Sequence, residues 1–153
     1  MFQKLTIDNI DKKILSYLMS DARISFLSIA KECNISSAAI QQRVKKMSEA
    51  GIIKGSKFTI NPKVLGYDIC AFIGVFLDQA HAYKSVVNEL KTIKEVVECH
   101  YTTGNYAIFL KLFCKNNEHL MKVLIDTIQN IEGVSRTETF ISLEQTIERQ
   151  IEV

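Results

Sequence analysis

No apolar run in this chain approaches the roughly 20 residues that a membrane span needs. The opening stretch MFQKLTIDNIDKK has no apolar core of the kind that a secretory leader carries. These absences lead us to expect a soluble, cytoplasmic protein with no membrane partner. Proline occurs once, at Pro62. Cysteine occurs four times, at Cys33, Cys70, Cys99 and Cys114, and never as a CxxC pair. A structural zinc site brings its ligands in close pairs, so no metal is expected. The cysteines sit among apolar neighbours and read as buried, reduced thiols. Serine-nucleophile (GxSxG), P-loop and GxGxxG motifs are all missing. His81, His100 and His119 stand apart in sequence, with no second ligand at i, i+4. His100 could shuttle protons or ligate a metal, but a strand histidine is more often a packed or surface residue. We therefore assign no catalytic residue and no cofactor.

The 153 residues allow one ordinary domain or two small ones, and 47% apolar content is enough for real cores. The net charge of +2 hides an asymmetry. Residues 1–60 hold ten Lys/Arg against five Asp/Glu, and residues 61–153 hold nine against twelve. A basic first part suits a polyanion, and a mildly acidic remainder does not. Any nucleic-acid contact is thus confined to the first part.

Within that part, Ser25 to Ile53 (SFLSIAKECNISSAAIQQRVKKMSEAGII) has the pattern of two short helices joined by a tight turn. The Ser25 hydroxyl can accept from an unpaired amide at a helix start. Phe26, Ile29, Ala30 and Cys33 recur at i, i+3, i+4 and i+7, making one apolar face. Asn34 enters the left-handed region cheaply, as a sharp turn requires. Ile35 can fill the gap between the helices, and Ser36 caps the second. Its inward stripe is Ile40, Val44 and Met47, and Gly51 ends it.

The outward face carries Ser37 and Ala38 near its start, then Gln41, Gln42, Lys45, Lys46 and Glu49, with Arg43 on its flank. Small residues permit close approach to a surface, amides bond bidentately to base edges, and cations meet phosphates. These are the needs of a helix-turn-helix recognition helix. The same pattern also fits a solvated polar face on an ordinary helix. Lys54 and Lys57, in a short extended segment after Gly51, fit a small wing touching DNA backbone and a solvated loop equally.

Before this stretch, Asp8 opens a helix with Asp11 in its first turn, where the helix dipole favours negative charge. Ile10, Ile14, Leu15 and Leu18 form its apolar face. Three helices with one stripe each can bury those stripes only against one another. Asn61-Pro62 marks the break to a second domain, giving expected domains of 1–60 and 61–153.

After the break the period changes. Tyr67–Leu77 is a nearly continuous apolar strand candidate, and Ala82–Ile93 has helical spacing. Val96–Thr103 alternates, and Gly104-Asn105 signals a hairpin into Tyr106–Cys114. Glu118–Ile131 is a second helix, with Leu120, Leu124, Ile128 and Ile131 on one face, and Val134–Leu143 a final strand. The order β-α-β-β-α-β is the ferredoxin-like split motif. Both helices on one sheet face leave the other face needing a cover. A second copy's sheet is the natural one, so at least a homodimer is expected. The fold class is α+β: an N-terminal winged helix-turn-helix domain and a C-terminal ferredoxin-like ligand-sensing domain.

This arrangement resembles the Lrp/AsnC family of transcription regulators. The resemblance rests on IDNIDKKIL (Ile7–Leu15), Ala22-Arg23, Ile29-Ala30, Ile35-Ser36, RVKKM (Arg43–Met47), GII (Gly51–Ile53), NPKVLGYD (Asn61–Asp68), YTTGNYAIFLK (Tyr101–Lys111) and TETFISL (Thr137–Leu143). It covers essentially the whole chain, and GYD, FIGV, YTTG and TETFISL look closer to the asparagine-responsive AsnC branch than to the leucine-responsive one. The resemblance implies DNA binding through the first domain. It implies dimerisation through the second, and dimers assembling into an octamer. It also implies a small amino-acid effector at the interface between dimers, lined by the hairpin loop.

Carried onto this chain, that loop is Tyr101, Thr102, Thr103, Gly104, Asn105, Tyr106 and Ala107. Threonine hydroxyls and loop amides can serve an α-carboxylate, and loop carbonyls can accept from an ammonium. Gly104 lets backbone approach a ligand closely. A plain hairpin turn fits the same residues. Many family members have aspartate at the positions of Asn105 and Ala107, so here carbonyls or another acid must meet the ammonium. Two alternatives share the architecture. Sirohaem decarboxylases look like the same two-domain chain but lack a basic reading helix, and an architectural DNA-binding protein would answer to no effector. A regulator dimer would place two recognition helices in successive major grooves about one helical turn apart, on near-palindromic double-stranded DNA.

Overall fold

The computed structural model describes residues 6–153; residues 1–5, the start of the expected first domain and of the stretch read for a leader, lie outside the described residues. The chain groups into two compact units, one running to Thr59 and taking in Ile147–Val153, the other Ile60–Thr146.

The first unit holds α1 (Asn9–Ser20), α2 (Phe26–Cys33) and α3 (Ser37–Glu49). Each begins where a side chain satisfies an orphan amide. Asp8 Oδ1 accepts from the Asp11 amide at 2.8 Å, and Asp11 Oδ2 accepts from the Asp8 amide at 3.1 Å, a reciprocal capping box. Ser25 Oγ accepts from Ser28 at 3.0 Å, and Ser36 Oγ from Ala39 at 3.1 Å. Asn34 sits at φ 59°, ψ 38°, the left-handed position that turns α2 into α3. The buried core is Ile14, Leu15, Ile29, Ala30, Ile40 and Met47, with Ile10, Phe26, Cys33, Ile35 and Val44 around it. Burying one such Ile stabilises by about 1.5–3 kcal/mol. The segment Lys54–Ile60 forms no strand and is exposed; the Arg23 guanidinium lies 4.6 Å from the Phe58 ring centroid.

The second unit is a four-stranded sheet in the order β2-β3-β1-β4, every neighbouring pair antiparallel. Its strands are β1 (Ile69–Leu77), β2 (Val96–Tyr101), β3 (Ile108–Cys114) and β4 (Val134–Ile141). Its helices are α4 (Tyr83–Leu90) and α5 (Asn117–Lys122). Strand alternation sends Ala71, Ile73 and Val75 of β1, and Ile108, Leu110, Leu112 and Cys114 of β3, into one core with Val86, Leu90, Leu120, Val123 and Ile128. The other face carries Phe72 and Phe76 of β1, Phe109 and Phe113 of β3, and Arg136, Glu138 and Phe140 of β4.

Four details depart from the sequence expectation. The second helix is not regular from Glu118 to Ile131: α5 passes into a wider π turn over Val123–Thr127 and a 3-10 turn over Ile128–Asn130. The buried residues Val123 and Ile128 are five apart, and the i→i+5 geometry brings them to one face. Strand β1 begins at Ile69, after a 3-10 turn at Lys63–Leu65, rather than at Tyr67. The hairpin between β2 and β3 is longer than a two-residue turn. It closes where the Thr102 amide donates to the Ala107 carbonyl at 3.1 Å. Of the four cysteines expected to be buried only Cys114 is: Cys33 and Cys70 are half-buried, and Cys99 is exposed because β2 is an edge strand whose residues after Val96 are all exposed.

Candidate nucleic-acid interface and effector loop

Helix α3 has one buried stripe, and its opposite face is open. Ala38, Gln41, Gln42, Lys45 and Lys46 are exposed, and Ser37 is half-buried at the first turn. Lys45 Nζ lies 3.8 Å from Glu49 Oε1 one turn on, a weak exposed pair. Amides at two successive positions and two cations one turn later share this surface, the order in which base edges and phosphates are met.

Arg43, on the flank of this face, has partners within the protein. Its Nη1 donates to Asp8 Oδ2 and to Asp11 Oδ1, both at 2.8 Å, and its side chain is about one-third exposed, at 31%. The two carboxylates that build the α1 capping box therefore also hold α3. The Asp11 amide, and then the Arg43 guanidinium, keep the Asp8 carboxyl below its ordinary value. Asp11 and Asp8 in turn raise the Arg43 pKa. A hollow of about 370 Å³ beside this cluster is lined by Thr6, Gln42 and Lys46 among others, so the cluster borders the polar face of α3.

In the second unit, the loop from Thr102 to Ala107 joins β2 to β3. Thr102 Oγ1 donates to the Tyr106 carbonyl at 2.7 Å, and the Ala107 amide donates to Val75 of β1 at 3.0 Å. Both ends of the loop are thus fixed. Between them Thr103, Gly104 and Asn105 are exposed, and Gly104 has φ +109°, a conformation costly for any side chain. The Tyr101 ring is exposed and stands 4.4 Å from that of Tyr83 on α4.

Tyr106 faces away from this exposed tip. Its ring covers Gly74 of β1, and its hydroxyl donates to Glu138 Oε2 at 2.7 Å. The Glu138 carboxylate, with burial, raises the Tyr106 pKa and keeps the hydroxyl a donor. Sequence reasoning grouped Tyr106 with the loop residues; the structure adds that its ring lies on the sheet, against Gly74, and its hydroxyl on Glu138. The signal that could have revealed this is Gly74, a side-chain-less position in an otherwise bulky strand.

The histidines form no cluster. His100 Nε2 lies 3.5 Å from Glu98, and His119 Nε2 lies 3.2 Å from Glu95. Among the described residues no group of three His, Cys, Asp or Glu could hold a metal ion, and no helix is long and apolar enough to cross a membrane. A second, open hollow of about 630 Å³ lies between α4 and the turns that follow α5. Asp78, His81, Glu89, Asp126 and Glu132 are at its walls, and no sequence motif pointed to it.

Residues 7–54 match the winged helix-turn-helix DNA-binding family, and residues 70–151 match the Lrp/AsnC ligand binding domain. The regulatory protein AsnC of Escherichia coli is 44% identical over 95% of this chain and 95% of its own length. Its Haemophilus influenzae counterpart is 46% identical, over 95% and 97%. The solved structure of E. coli AsnC superposes with a TM-score of 0.93, covering 97% of this chain and 100% of that one at 43% identity. A feast or famine regulatory protein from Mycobacterium tuberculosis, solved with L-methionine, superposes at 0.89 and 25% identity, covering 97% of this chain and 100% of its own. This kinship is with named regulators, and it removes the decarboxylase alternative. A helix-turn-helix unit with an open polar helix face, followed by a β-α-β-β-α-β unit, over 95% of the length of E. coli AsnC, makes the chain a transcription regulator of the Lrp/AsnC family.

Proposed function

We propose that this regulator reads a near-palindromic operator through α3 and changes its DNA affinity or assembly when a small amino acid, asparagine or one like it, occupies the loop after β2. The observation that carries the DNA part is the exposed run Ala38, Gln41, Gln42, Lys45 and Lys46 on a helix whose other face is core. Gln41 and Gln42 meet base edges, Ser37 and Ala38 let the helix start approach the groove, and Lys45 and Lys46 meet phosphates. Arg43 acts indirectly, by fixing α3 against α1. The domain up to about residue 60 takes the DNA, and the domain after it pairs and senses.

For the effector, the tip Thr103-Gly104-Asn105 offers a hydroxyl and backbone amides for a carboxylate, with carbonyls nearby for an ammonium. Thr102 and Ala107 hold the two ends of the loop, and Tyr101 borders it. The solved Mycobacterium relative with L-methionine supports an amino-acid ligand. Homodimers form by pairing of the outer sheet faces, where Phe140 is 48% exposed on a strand flanked by further aromatics, and dimers join into an octamer. The setting is the cytoplasm.

Two titrations test the reading. Fluorescence anisotropy on DNA carrying candidate palindromes measures affinity with and without L-asparagine, and calorimetry measures the amino acid with and without DNA. Both must return the same coupling factor, typically fivefold to about 150-fold. Absence of binding to any double-stranded DNA at low salt overturns the reading of α3. DNA binding that no amino acid alters leaves the architectural alternative.

A further inference from the structure

Strand β1 sends Phe72, Gly74 and Phe76 to the outer face of the sheet, and Gly74 lacks a side chain there. The Tyr106 ring takes the vacant place. A Cβ on residue 74 would stand 2.4 Å from Tyr106 Cδ1 and 2.6 Å from Cγ, closer than any real contact. The ring is enclosed by Phe76 at 5.2 Å edge-on, Phe109 at 5.8 Å and Phe140 at 6.3 Å between centroids. Its hydroxyl reaches Glu138 of β4, whose other oxygen lies 3.6 Å from Arg136 Nη1; the Arg136 guanidinium in turn sits 3.8 Å over Phe76. At the backbone end, the Tyr106 carbonyl accepts from Thr102 Oγ1. One residue thereby joins the loop tip to three strands: β1 through Gly74, β3 through Phe109, and β4 through Glu138.

We propose that Tyr106 is a positioning residue rather than a ligand contact: seated on Gly74 and bonded to Glu138, it ties the effector loop to the outer sheet face, so that loop occupancy and pairing of that face change together. This rests on the reading of the loop as the effector site. The geometry gives the coupling a route. A ligand that moves the Thr103–Asn105 tip pulls on Thr102 and on the Tyr106 carbonyl. The ring can answer only by shifting against Phe76, Phe140 and Glu138, which line the surface where a second copy packs. A close-packed aromatic cluster has few alternative arrangements, so a small displacement at the loop is passed on.

The test uses the full chain. Tyr106→Phe keeps the ring and removes the hydroxyl. Glu138→Gln keeps an acceptor, and Glu138→Ala does not. Amide hydrogen exchange across Thr102–Ala107 is expected to quicken about fivefold in Tyr106→Phe and Glu138→Ala, to stay near wild type in Glu138→Gln, and to rise no further in the Tyr106→Phe/Glu138→Ala double variant. The amino acid giving the largest calorimetric heat among the twenty, expected to be L-asparagine, should bind Tyr106→Phe about fivefold more weakly. Its effect on the dimer dissociation constant in sedimentation should shrink in the same variant. Unchanged loop exchange in both single variants, or additive effects in the double, overturns the tie. Weaker ligand binding with an undiminished effect on dimerisation overturns the coupling. If wild type binds no amino acid, the effector reading falls and the coupling with it, while exchange still decides whether Tyr106 anchors the loop.

Discussion

Arg43 of α3 and Asp11 of α1 are joined by a 2.8 Å bond, and the Asp11 carboxylate also serves the α1 capping box through its other oxygen. Among the described residues, the guanidinium is the one cation of α3 that another side chain engages at hydrogen-bond distance. Its geometry fixes where α3 stands relative to α1, and with it the direction in which Gln41, Gln42, Lys45 and Lys46 point.

Removing that guanidinium is therefore expected to destabilise the fold, not to act as the loss of a phosphate contact does. Arg43→Ala leaves the mostly buried Asp11 side chain, 11% exposed, without its cation. The expected loss is about 1–2 kcal/mol, a charge-assisted bond discounted for partial exposure. Arg43→Lys restores part of it: an ammonium can also donate to two acids, as Arg43 does from the single nitrogen Nη1, but the lysine chain is one bond shorter. Thermal melts give the loss, and salt titrations of DNA affinity give the role. A salt slope lowered by about one in Arg43→Ala would make Arg43 a phosphate contact after all.

Lys45 and Lys46 carry the opposite expectation. Each Ala substitution should leave the melting temperature unchanged within error, because both side chains are exposed. Each should weaken binding to every DNA sequence and lower the salt slope by about one. Gln42→Ala should instead flatten the difference between operator and scrambled DNA while the slope holds. A slope that ignores Lys45→Ala would remove that lysine from the interface.

Acid should loosen the first unit partly through Asp8. Its folded pKa is depressed, chiefly by the Asp11 amide and then by Arg43. A depressed carboxylate contributes stability that is fully present above the unfolded value, about 3.9, and is lost as pH falls through the lower folded value. Asp8→Asn keeps a capping acceptor and cannot titrate. The melting-temperature gap between wild type and Asp8→Asn should therefore be constant from about pH 5 to 7 and should narrow below about pH 4. A gap that stays constant throughout would mean that Asp8 contributes nothing through its charge.

Much of this architecture was legible because local signals agreed with one another. Ser25, Asn34 and Ser36 each occupy the cap or turn that their side chains favour, and the 3.6-residue stripes meet in a single core. Strand alternation on β3 is equally plain, with Ile108, Leu110, Leu112 and Cys114 buried in turn. What escaped sequence reasoning depends on partners distant along the chain. Arg43 reads as a DNA cation until Asp8 and Asp11, some 32–35 positions away, are seen beside it. The contacts of Tyr106 with Gly74 and Glu138, 32 positions away on either side, have no local signal. The π turn at Val123–Thr127 has no local signature, because only the sheet beneath it requires Val123 and Ile128 on one face.

The two cysteines on neighbouring strands should differ sharply in reactivity. Cys114 ends β3 on the core side and is fully buried, and burial pushes its thiol up to about 11. Cys99 lies on the edge strand β2 and is exposed, though the part of its surroundings that is buried raises its thiol as well. The thiolate is the reacting species, so both are slow near neutral pH, and access then separates them. Iodoacetamide at pH 8 followed by peptide mass analysis should label Cys99 first and Cys114 only when denaturant opens the second unit. The raised value also makes the neutral thiol the folded form. Its contribution to stability is present below the unfolded value and is lost as pH rises toward 11. Rapid labelling of Cys114 in the folded protein would show that the end of β3 opens readily. The Ile69↔Cys114 pairing would then have to be weaker than a central strand position implies.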